Sequence, residues 1–327
     1  MVRARYLPSV SSPLASLTAL SDALAWVVVL AFLAGIAIDV AGYRERARLV
    51  TAGAWIVFAA FWLSVFPHFA FEVRSLVEGL GSLLAIPLSL SAGYLLTRGR
   101  DSILTLSRAV GIMALLYYPP RAIPAVREFL IETVALQTDW GLATLGYHPA
   151  FVTAPDTGYL NTFVFGDFST YIVWACTGMG SIAIFGGLIA AANADLGRKL
   201  RAFGLAVGVI WVLNLLRNVF VAAAAGHSWF DHPATTWLAT DVAGVPTEHT
   251  SFWIAHTAIS QSLSVLALVG ITLLVVRRVP EVLSVLSEAL YVATRTEYDL
   301  QAMLDVDAST STDAPVGDGE REDPARG

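Results

Sequence analysis

Apolar residues run along this chain in long stretches, at about 22–41, 49–66, 76–97, 102–118, 171–192, 203–225 and 252–276. Each is close to or above the length of about 17–25 residues that a helix needs to cross a bilayer. Short alternating segments, the mark of a membrane β-barrel, do not form the pattern. The reading is an all-α polytopic membrane protein with seven transmembrane helices, or eight if a short span lies within residues 7–20.

Two segments test that count. Residues 120–137 are long enough to cross but carry Arg121, Arg127, Glu128 and Glu132. Inserting them would reverse every later span, so the segment is expected on the outer surface as an amphipathic helix. Between 138 and 170 the chain leaves the apolar pattern and becomes aromatic, with Trp140, Tyr147, Phe151, Tyr159, Phe163, Phe165 and Phe168. Within it, Gly158–Phe165 is bounded by glycine and predicts a short strand or hairpin. This stretch is either an interfacial aromatic belt or a lid over the start of the fifth span.

Basic residues orient the bundle. Arg44, Arg46 and Arg48 follow the first run, Arg98 and Arg100 the third, Arg198, Lys199 and Arg201 the fifth, and Arg277 and Arg278 the seventh. They fall on alternate loops, hence on one side, which the positive-inside tendency makes cytoplasmic. The other loops hold only Arg74, Arg121 and Arg127. Residues 1–296 then form one membrane domain whose N-terminus faces out. Residues 297–327 carry nine acids and two arginines and read as a disordered, cytoplasmic tail.

Composition adds exclusions. Apolar residues make up 56% of the chain and charged residues 14%, with mean hydropathy +0.65. A single cysteine, Cys176, excludes an internal disulfide and any cysteine-built zinc site. His227, Asp231, His232 and His249 fall in one outer loop without HExxH spacing, so they read as hydrated loop residues and no metal is expected. No cofactor and no nucleic-acid partner is expected, and there is neither an internal repeat nor a soluble catalytic domain.

Three polar residues interrupt consecutive apolar runs. With this orientation, Cys176 lies about 8 Å into the fifth span and Arg217 about 12 Å from the outer end of the sixth, at 1.5 Å per residue. His256 lies about one turn into the seventh. All three reach the outer third of the membrane. A lone cysteine there is usually packing, and a histidine in the stripe Trp253, His256, Thr257, Ser260, Gln261 and Ser264 suits helix–helix hydrogen bonding. An arginine at mid-helix costs about 2.5–3.5 kcal/mol to insert, which asks for a reason. Asn214 and Asn218 share its face and point to a polar pocket. Together the three suit cysteine acyl transfer: a thiolate nucleophile, a base or acid, and a fixed cation for an oxyanion. Glu248 and Asp241 are candidates to orient His256. The competing readings are a small transporter with Arg217 as its anion site, and a non-catalytic scaffold.

Ala-Cys-Thr-Gly at 175–178, Arg217 within Asn-Leu-Leu-Arg-Asn and His256 within Trp-Ile-Ala-His resemble the archaeosortase/exosortase family, over a core of about 150–265. The resemblance implies a membrane cysteine protease and transpeptidase that needs no cofactor. It would recognise exported proteins, such as an S-layer glycoprotein, by a C-terminal Pro-Gly-Phe-type motif followed by a transmembrane helix and a basic tail. It would hold them as a thioester and pass them to a membrane lipid. It further implies Cys176 as nucleophile, Arg217 as oxyanion or substrate-orienting residue and His256 as general acid/base. Asn214, Asn218, Thr177 and Gly178 would support them.

Overall fold

The computed structural model describes residues 13–72 and 76–304. Arg3, Arg5, Arg74 and the tail from residue 305 lie outside the described residues. The fold is a mostly helical bundle. It opens with Pro13–Val40 (α1), Arg44–Pro67 (α2, continued by a π turn, His68–Glu72), Leu76–Thr97 (α3), Ile103–Ala122 (α4) and Pro124–Thr144 (α5). A three-stranded antiparallel sheet follows, Ala150–Thr153 (β1), Leu160–Phe165 (β2) and Phe168–Tyr171 (β3), in the order β1-β2-β3. After a 3-10 turn, Trp174–Thr177, come Met179–Ala191 (α6), Leu196–Gly226 (α7), Pro233–Trp237 (α8) and Thr250–Trp253 (α9). A π segment, Ile254–Ser260, joins α9 to Gln261–Arg278 (α10). The chain ends in Val282–Thr294 (α11) and Leu300–Met303 (α12).

Among the described residues, six helices are long and apolar enough to cross a membrane. The expected fifth span, 171–192, is the one that shortens. Its first residues are the end of β3 and the 3-10 turn, leaving α6 only 13 residues. Residues 13–20 continue directly into the first long helix as part of α1, so from Pro13 onward there is no separate eighth span. The rest of 7–20 lies outside the described residues.

Close packing holds the helices, since lipid supplies little hydrophobic drive between them. Phe32 of α1 is fully buried edge-on against Trp55 of α2, and Trp55 donates Nε1–H to Ser107 Oγ of α4 at 2.8 Å. Gly187 lets α6 meet α4 at backbone distance: a Cβ there would lie 2.4 Å from the carbonyl oxygen of Ala109.

One end of the bundle gathers the basic loops. Arg44 and Arg48 pair with Asp101 at 3.4 and 3.3 Å, and Arg198 pairs with Glu281. Arg100 grips both carboxylate oxygens of Glu288 at 3.1 Å, lies over the Tyr291 ring, and reaches Glu297 at 2.9 Å. The loops after α1, α3, α6 and α10 therefore meet at one end. Helix α11, absent from the hydropathy pattern as a span, lays Val282, Leu283, Val285 and Val292 against that end. The tail is not wholly without structure. Glu297 is tied to Arg100, and Asp299 caps α12 by accepting from the Ala302 N–H at 3.0 Å.

Helix α7 connects this end to the other. It starts beside Arg198 and finishes at Gly226, where Phe165 of β2 packs against the backbone. Helix α5 carries the sheet: Arg127 donates to the Tyr159 hydroxyl at 3.1 Å and Glu132 accepts from the Leu160 N–H at 2.7 Å. Two of the four charges that argued against insertion, Arg127 and Glu132, have this role. Helix α5 buries Ile131, Val134, Ala135, Thr138 and Leu142, of which all but Thr138 share one cluster with Phe163 of β2 and Val219 of α7. Gly141 meets Val219, and Gln137 accepts from Trp211 at 2.9 Å. The segment thus leans on α7 over about two turns.

Candidate active site

Cys176 sits on a turn rather than inside a helix. β3 ends at Tyr171, and Ile172 and Val173 lead into Trp174–Thr177. Gly178, with φ at 77°, separates that turn from α6. This left-handed conformation costs an ordinary L-residue about 1–2 kcal/mol, and glycine adopts it freely. Thr177, fully buried, closes the turn by donating Oγ1–H to the Trp174 carbonyl at 2.7 Å. Its oxygen also accepts from the Met179 N–H at 3.4 Å.

Helix α7 fixes the cysteine from the side. Asn214 and Asn218 stand one turn apart on one face, and both donate Nδ2–H to the Cys176 carbonyl, at 2.7 and 2.9 Å. Gly178 is needed here too, because a Cβ would lie 3.3 Å from Asn214 Cγ. On the other side of the turn, Trp174 meets Tyr117 of α4 edge-on.

Arg217 lies between the two asparagines in sequence and turns toward the π segment. Its Nη2 lies 3.0 Å from His256 Nε2. A guanidinium only donates, so Nε2 accepts and the ring carries its proton on Nδ1. His256 also stacks on Phe252, with centroids 5.1 Å apart and planes 12° from parallel. Cys176, Arg217 and His256 line one cavity of about 350 Å³ together with β3, His249 and Phe252. Arg217 also borders a second cavity of about 360 Å³ between α6, α7 and α10, where Ser181, Asn214, Ser260 and Ser264 face it.

The sequence-derived residues divide accordingly. Cys176, Arg217, His256 and Asn218 come together around the first cavity, and Asn214 and Gly178 stand behind it, on the second. The expected single stripe on the last span splits. Across Ile254–Ser260 the helix is wound as π, with i→i+5 bonds, so residues four apart no longer superpose. His256 faces the first cavity while Ser260 and Ser264 face the second. Asp241 accepts from Thr240 instead of His256, and the polar partner of His256 is Arg217. The loop histidines have structural roles: His227 packs on Tyr147 and Phe165, His249 on Phe168, and His232 caps α8. Asp231 accepts from Ser251 at 2.6 Å. Two contributors went unrecognised in the sequence. Phe252 was detectable as an aromatic four residues before His256. The β3 edge was not, because Phe168–Thr170 read as the end of the aromatic loop and Tyr171–Val173 are apolar enough to pass for the start of a span.

A family model described as Transmembrane exosortase matches residues 19–247, well over half of the chain. The chain belongs to the transmembrane exosortase family. Archaeosortase A of Haloferax volcanii is 45% identical over 306 residues, covering 88% of this chain and 99% of that protein. Archaeosortase A of Natronomonas pharaonis is 42% identical over 280 residues, covering 83% of this chain and 88% of that protein. No solved structure matches at a significant level. With this family and six long apolar helices, the exosortase-family chain is a multi-pass membrane protein of the sortase-like processing kind. The family match contains Cys176 and Arg217 and ends at residue 247, ahead of His256.

Proposed function

We propose that the protein is a membrane-embedded cysteine transpeptidase. It cleaves exported surface proteins near a C-terminal Pro-Gly-Phe-type signal and transfers them, through a thioester, to a membrane lipid. The observation that supports this best is the shared cavity of Cys176, Arg217 and His256, with the Cys176 turn pinned by Asn214 and Asn218. A transporter built on Arg217 gives no role to Cys176 or to the two asparagines that hold its carbonyl.

The geometry suggests an order of events. In the empty site Arg217 occupies His256 Nε2. When a peptide carbonyl enters, its oxygen is the stronger partner for the guanidinium as negative charge develops. Arg217 turns to it and releases Nε2. His256 then takes the Cys176 proton while sulfur bonds to the carbonyl carbon. Collapse of the tetrahedral intermediate breaks the C–N bond, and His256 returns the proton to the leaving amine. A lipid hydroxyl or amine next attacks the thioester carbonyl, giving its proton to His256 and returning the thiol. The second cavity, rimmed by the exposed Leu213, Leu216 and Leu263, offers that acceptor a route from the lipid.

The charge asymmetry of the loops supports a site at the extracytoplasmic face with the C-terminal tail inside. Mass spectrometry of a surface protein's C-terminus tests the reaction. A lipid-modified, truncated terminus is expected with the wild-type enzyme, and the full-length C-terminus with Cys176→Ala. Normal processing by Cys176→Ala would overturn the proposal.

A further inference from the structure

The sheet beside the cavity has one blunted edge and one open edge. Isolated edges recruit other strands unless a bulge, a proline or a charge prevents it. The β1 edge has a register irregularity at Val152/Thr153 and is flanked by Pro149 and Pro155. The β3 edge, Phe-Ser-Thr-Tyr, carries no bulge, proline or charge within the strand, and the one flanking charge, Asp167, lies in the turn from β2, at the end away from Cys176.

The ladder shows which groups on β3 are free. Ile172 N–H donates to the Asn161 carbonyl at 2.9 Å, and Asn161 Nδ2–H returns to the Ile172 carbonyl at 2.7 Å. Pairing alternates along an antiparallel strand, so Thr170 and Phe168 also face β2. Ser169 and Tyr171 then turn their N–H and C=O groups outward. Among the described residues no hydrogen bond reaches these groups, and both residues are exposed. All of Phe168–Val173 lines the cavity that holds Cys176. The open edge ends where the Val173 carbonyl accepts from the Cys176 N–H at 2.8 Å, so β3 runs directly into the nucleophile's turn.

We propose that the polypeptide substrate binds as a fourth strand on the outer edge of β3, its backbone paired with Ser169 and Tyr171, which delivers the scissile carbonyl to Cys176. This rests on the transpeptidase reading and specifies how that site takes hold of its substrate. Main-chain pairing supplies affinity that depends little on side chains, and the aromatic walls Phe168 and Phe252 select among them. A substrate that descends from outside and continues into the membrane runs parallel to β3, as β3 itself descends toward Cys176.

The test uses the full chain in liposomes and a synthetic peptide with a central Pro-Gly-Phe segment, methylated at one backbone nitrogen at a time. Cleavage and protection of Cys176 from iodoacetamide are both measured. Methylation at every second position ahead of the cut is expected to lower both by about tenfold or more, with little effect at the positions between. Ser169→Pro removes an outward N–H and is expected to do the same, while iodoacetamide labelling of its Cys176 without peptide keeps the wild-type rate and shows that the site is still folded. Loss of alternation in the methylated series overturns the edge proposal, as does a peptide that neither is cleaved nor protects Cys176. If cleavage still requires Cys176 but shows no alternation, the edge fails and the transpeptidase stands. If cleavage does not require Cys176, the transpeptidase fails.

Discussion

Two asparagines hold the carbonyl of Cys176, the proposed nucleophile, and that constrains what their loss will do. A neutral hydrogen bond contributes about 0.5–1.5 kcal/mol net, so losing one of two donors lowers a rate by about 2–10-fold where the turn's position limits it. Asn214→Leu and Asn218→Leu are each expected in that range. The double variant should lose more than the product of the two, because the carbonyl is then left with neither donor. Quantifying the processed C-terminus over time reads this out. Gly178→Ala is expected to lose more than either single variant, since it forces an L-residue into the left-handed region and moves Asn214. Arg217→Lys keeps the charge but loses the planar fork that reaches both His256 and a carbonyl oxygen. Processing should fall by about 10²–10³-fold, as when an oxyanion donor is removed, while iodoacetamide still labels Cys176. A variant within twofold of wild type would remove Arg217 from the mechanism.

At the scale of elements, the long helices were legible from hydropathy because each presents a continuous apolar run. The fifth was misread for a physical reason. Tyr171, Ile172, Val173, Trp174 and Ala175 are apolar whether they form strand, 3-10 turn or membrane helix, and only Gly178 marks the break. The sheet was half legible: glycine-bounded β2 was anticipated, whereas β1 and β3 are only four residues long, and the two-residue Gly166-Asp167 turn that pairs β3 with β2 was not read as a hairpin. That Arg217, Asn218 and His256 gather at one cavity was foreshadowed because polar groups in apolar runs are costly and therefore conspicuous. The π segment was not, since no residue type specifies an i→i+5 turn. Helix α11 was missed because it buries one face only, with Glu288 on the side that meets Arg100. Arg100 and Glu288 are mostly shielded and paired through both oxygens, between the surface and buried extremes. Arg100→Ala should thus cost about 1–3 kcal/mol. A lowered melting temperature in detergent, with processing by the folded fraction unchanged, is the expected result.

For the whole molecule, the decisive property is polarity from end to end. Arg44, Arg48, Arg100 and Arg198 reach acids at one end, and β3 and the Cys176 cavity lie beyond the far half of α7. An enzyme acting on exported proteins must keep the cavity end outside, where substrates emerge, and the arginine end inside, where positive loops are retained. Those two demands agree only in one orientation, so topology is a direct test of the functional reading. In a Cys176→Ala background, which leaves no other thiol, Ser169→Cys sits on the exposed β3 edge and Ser284→Cys on the exposed side of α11. A membrane-impermeant maleimide added to intact cells should label the first and spare the second until the membrane is opened. The reverse pattern would put the nucleophile on the wrong side of the membrane for any exported substrate. The transpeptidase proposal would then fall even with every side-chain contact in the cavity intact.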